Sequence, residues 1–213
     1  MMNFRKIKLS ITGNVLGPAE GGRYRTIGYQ KQNTDVEDVL GKNRTVQVFF
    51  SSSDFPKNAS GLQGPFKHEI SYRIELAVAE DSAVNLAALK DENATDADRE
   101  KAWKSFIEAG DAADDSFDEL AEIVFQVLMD ARNIDLGLPV GDVSDRWVGQ
   151  IRKDEPEPTG EFVMLTGAMM LTCSTSEAAN GDPGVTGAAI IDTTVDLEDD
   201  DVEKGGVKVT TTE

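Results

Sequence analysis

A chain of 213 residues is long enough for one good core with extensions and too short for two domains of typical size. With 39% apolar and 28% charged residues, and 39 acids against 21 bases for a formal charge of −18, it is poorly suited to wrapping nucleic acid, which needs a clustered basic face. Runs long enough to span a membrane, an apolar secretion signal after Met1-Met2-Asn3-Phe4-Arg5-Lys6, a disulfide framework and a Cys/His zinc cluster are all excluded, the last two by a lone Cys173 and a lone His68, so a soluble protein made in the cytosol is expected.

Residues 1–41 mix short apolar pieces such as Ile7 to Ile11 with turns at Gly13, Gly17-Pro18 and Gly21-Gly22, which predicts an extended N-terminal arm. The core is placed at 42–176. Its first strand runs from Thr45 to Phe50, a β-branched and aromatic run halted by Ser51 to Asp54, and a loop punctuated by Phe55-Pro56 and Gly61 to Pro65 follows. From Phe66 to Ala79, His68, Ile70, Tyr72, Ile74, Leu76 and Val78 alternate with polar or small residues, which predicts a long strand with one buried face.

Residues 81–115 turn to alanine and acid and read as an insertion holding a short amphipathic helix, capped by Thr95 or Asp96 and carrying Trp103, Phe106 and Ile107. A second helix near 117–132 is predicted from the Ser116/Glu119 capping pattern and the stripe Phe117, Leu120, Val124, Leu128, Ala131, with Arg132 at its negative pole. It should leave through Asn133 to Gly137. Ser144 or Asp145 then opens a brief helical turn through Trp147, Val148 and Ile151, ended by Pro156 and Pro158. Glu161 to Cys173 is a strand whose second face, at Phe162, Met164, Ala168 and Met170, is also partly apolar, so it should be central or covered by a neighbouring subunit. Residues 177–213 form an acidic C-terminal arm or hairpin, with the run Glu198 to Asp201 and the turn Lys204-Gly205-Gly206. The fold class is therefore α+β: a mainly antiparallel sheet with helices on one face, and extended arms at both ends.

Chemistry is sparse. His68 falls on the apolar face of the best strand and reads as a packed histidine; Cys173 closes another apolar face and reads as an inert buried thiol. Four aspartates between Asp111 and Asp118 read as solvated or helix-start charge, because calcium-loop spacing is absent there and in Glu198 to Asp201. No phosphate-cradling glycine motif is present. No catalytic, cofactor-binding or metal residue is assigned, and no enzymatic activity or cofactor is expected.

Taken in order, Tyr72-Arg73-Ile74-Glu75-Leu76 on the long strand, the helix Phe117-Asp118-Glu119-Leu120-Ala121, the exit Asn133-Ile134-Asp135-Leu136-Gly137 and the strand Gly160 to Thr172 resemble the tail terminator (tail completion) proteins of long-tailed bacteriophages. The resemblance runs from about residue 44 to 176, outside the 81–115 insertion. It implies a virion protein, assembled in the host cytoplasm, that forms a homo-oligomeric ring, commonly a hexamer, capping the tail tube and joining it to the head. Its partners would be the tail-tube and head-tail connector proteins, with no membrane involved. DNA would pass through the lumen without specific binding, and an acidic lining suits that passage. Alternatives are another neck, connector or tail-tube part, a ligand-binding module, or an acidic enzyme using a divalent metal.

Overall fold

The computed structural model describes residues 3–27, 44–54 and 66–177, which lie in one compact unit. The C-terminal acidic arm and its hairpin, and the loop after Asp54, lie outside the described residues. Among the described residues six strands make one sheet: β1 Arg25–Ile27, β2 Arg44–Asp54, β3 Phe66–Asp81, β4 Asp145–Lys153, β5 Glu157–Thr159 and β6 Phe162–Glu177. Their order is β1-β2-β3-β6-β4, with β5 paired to β6. Every pairing is antiparallel except that of β1 with β2. The fold is thus α+β with a mostly antiparallel sheet, as the alternation predicts.

The core lies on one face of this sheet. Ile70, Tyr72, Ile74, Leu76 and Val78 of β3 are all 0% exposed, and β6 adds Val163, Leu165, Met169, Leu171 and Cys173 at facing positions. Each such burial contributes about 1.5–3 kcal/mol, so a one-residue slip in register would forfeit more than a domain's margin of about 5–15 kcal/mol. Helix α1 (Asn3–Ser10), a π-helical turn over Ile11–Leu16, a last turn α2 (Gly17–Ala19) and the long helix α3 (Asp96–Met129) bring the apolar side chains that meet this face. Glycine at 167 lets α3 come close: a Cβ there would lie 2.4 Å from Phe117 Cζ and 2.4 Å from the Arg152 carbonyl oxygen.

Five expectations are corrected. The described part of the N-terminal stretch is helical rather than extended over residues 3–19, and Ile7, Ile11 and Leu16 are fully buried in the core. Ile7, Ile11 and Val15 recur every four residues, a helical stripe obscured in the sequence by Gly13 and Gly17-Pro18. Second, the inserted helix and the helix at 117–132 are one, α3, 34 residues and therefore about 50 Å long. Four of its alanines are contact residues: Ala102, Ala109, Ala113 and Ala121 are buried. Thr95 caps it, accepting from the Asp98 N–H at 3.2 Å, whereas Ser116 sits mid-helix and donates to Glu80, and Glu119 pairs with Arg44 at 2.6 Å.

Third, Arg132 does not serve the helix end. It pairs with Asp130 at 2.5 Å, while Arg146 of β4 reaches back, its Nε donating to the Leu128 carbonyl at 2.6 Å and its Nη2 to that of Asp130 at 2.7 Å. Fourth, 145–153 is a strand, not a helical turn. A bulge at Gly149 shifts its alternation, so that Val148 opposite Leu171 and Ile151 opposite Met169 share a face at a spacing that imitates a helix. Last, the serines after Phe50 do not stop β2, which runs on to Asp54 through an irregularity between Phe50 and Ser52.

Candidate functional site

β6 is central, flanked by β3 and β4, and its burial alternates strictly: odd positions from Val163 to Thr175 are buried and even positions from Phe162 to Ser176 are half-buried. The even set looks away from α3. Met164, Thr166, Ala168 and Met170 face Ala79, Ala77, Glu75 and Arg73 of β3 across the ladder, and Gln150 and Arg152 of β4 stand on the other side. All of these except Ala77 and Ala79 line an open concavity of about 620 Å³, bordered by Asp154 and Glu157.

Two ion pairs line it: Arg73 with Glu75 at 2.5 Å, and Arg152 with Asp154 at 3.1 Å. The Thr166 hydroxyl donates to Asp154 Oδ2 at 3.0 Å, holding that carboxylate against the sheet. Burial raises the Glu75 carboxyl above its ordinary value; the Arg73 guanidinium opposes the shift and Asp154 reinforces it. A methionine and alanine floor with charged walls suits a protein surface better than a small ligand, whose site would be enclosed and would converge a few polar groups on one point. Residues Ala77 and Ala79 beside this floor are buried and pack with Met164.

The residues singled out in the sequence lie elsewhere. His68 is 5% exposed on the core face, its Nδ1 2.7 Å from the Ser53 hydroxyl, and opposite Thr175. Asn3 of α1 donates to Thr175 Oγ1 and to the Ser176 carbonyl, both at 3.0 Å, so these polar groups fasten the N-terminal helix to the end of the sheet. Cys173 is buried beside Arg146. Burial pushes its thiol up to about 12 against the opposing pull of that guanidinium, leaving it protonated and unreactive at neutral pH. Asp114 and Asp118 grip Lys153 at 2.8 and 2.6 Å above the Phe117 ring. Among the described residues no three His, Cys, Asp or Glu side chains converge as metal ligands, and the run Glu198 to Asp201 lies outside them.

Sequence reasoning found the even face of β6 from its methionines but missed Arg152, Asp154 and Glu157 as its border, because it placed a helical turn where β4 runs. Nor did any local signal mark Arg146, whose partners lie 18 and 16 residues away.

The sequence matches no known protein-family model, and no curated protein gives a significant match. Among the described residues no helix is long and apolar enough to cross a membrane.

Proposed function

We propose that this chain is a structural protein of a long-tailed phage virion, a tail terminator whose copies form a ring, of six in this reading, that caps the tail tube and joins it to the head. The observation that carries the reading is how the segments resembling that family pack. Tyr72 to Leu76 and the strand within Gly160 to Thr172 are neighbours in the middle of the sheet, and Phe117 of the helical segment rests on Gly167 of the second of them. Leu136 and Gly137 of the exit segment adopt left-handed backbone, φ 51° and 71°, against the N-terminal helical stretch, where Ser10 donates to the Leu136 carbonyl. These are separate stretches of chain that make one contiguous unit, as a shared architecture requires.

The partly apolar outer face of β6 adds support, since such a surface is one that assembly would cover. A formal charge of −18 per copy also favours a lumen that lets duplex DNA pass rather than bind. The test is position in the particle. Gold-labelled antibody against the chain is expected at the junction of head and tail of assembled virions. Label spread along the tube, or absent from particles, would refute the terminator role.

A further inference from the structure

We draw no further inference here: the strongest candidate, the open concavity on the outer sheet face floored by Met164, Ala168 and Met170, has wall charges that already pair with one another, Arg73 with Glu75 and Arg152 with Asp154, and nothing in the structure shows what covers it.

Discussion

Gly167→Ala probes the contact on which the helix-to-sheet packing depends. The added Cβ would lie 2.4 Å from Phe117 Cζ and 2.8 Å from Cε2 on one side, and 2.4 Å from the Arg152 carbonyl oxygen on the other. The ring can tilt, but the carbonyl belongs to the β4–β6 ladder, where Arg152 is paired with Ala168. Overpacking of this kind costs about 1–3 kcal/mol, and loss of glycine's freedom in the unfolded chain returns about 0.4–1 kcal/mol, for a net loss of about 1–2 kcal/mol. At about 2–4 °C per kcal/mol for a chain of this size, the melting temperature should drop by about 2–8 °C. Urea unfolding followed by circular dichroism measures the loss, and a double-mutant cycle with Phe117→Leu apportions it. The ring's share should disappear in the double variant and the carbonyl's share should remain. A Gly167→Ala protein as stable as the native one, or effects of the two substitutions that simply add, would refute the packing argument.

Arg146→Met should cost about 2–4 kcal/mol in urea unfolding, because the Leu128 and Asp130 carbonyls at the end of α3 lose their donor in a buried position. Asp130 is held down from the ordinary 3.8 to about 2 by hydrogen bonds from the Arg132 side chain and then its backbone N–H. A carboxyl depressed on folding stabilises above its unfolded value and loses that contribution as pH falls through the folded one. Stability measured across pH should therefore decline between about pH 4 and pH 2 less steeply in Asp130→Asn than in the native chain. With its thiol pushed up to about 12, Cys173 should resist iodoacetamide at pH 8 in the folded protein and react promptly in denaturant; rapid labelling of the native state would contradict the packing around β6.

The two long strands were legible because alternation reports burial directly: Ile70 to Val78 and Val163 to Cys173 each need one dry face, and no other local structure meets that need. Where period and burial part company, reading failed. The bulge at Gly149 gave β4 the spacing of a helix, and glycines at 13 and 17 hid the stripe Ile7, Ile11, Val15. The acidic run from Asp111 to Asp118 looked like a boundary, yet Ala113 and Phe117 lie on the buried side of the same helix while Asp114 and Asp118 reach Lys153. The concavity was half legible. Its methionines and Ala168 stood out as apolar residues on a second face, but its border comes from β4 and the chain that follows, and only the sheet order brings Arg152, Asp154 and Glu157 beside Arg73 and Glu75.

The central claim is that copies of this chain assemble into a closed ring, and the mass of the purified protein tests it most directly. Native mass spectrometry across a hundredfold range of concentration should give one dominant species of six copies, unchanged in stoichiometry, since a closed heterologous ring has no free end to extend. A single copy at every concentration, or an open ladder of sizes that grows with concentration, would contradict the account.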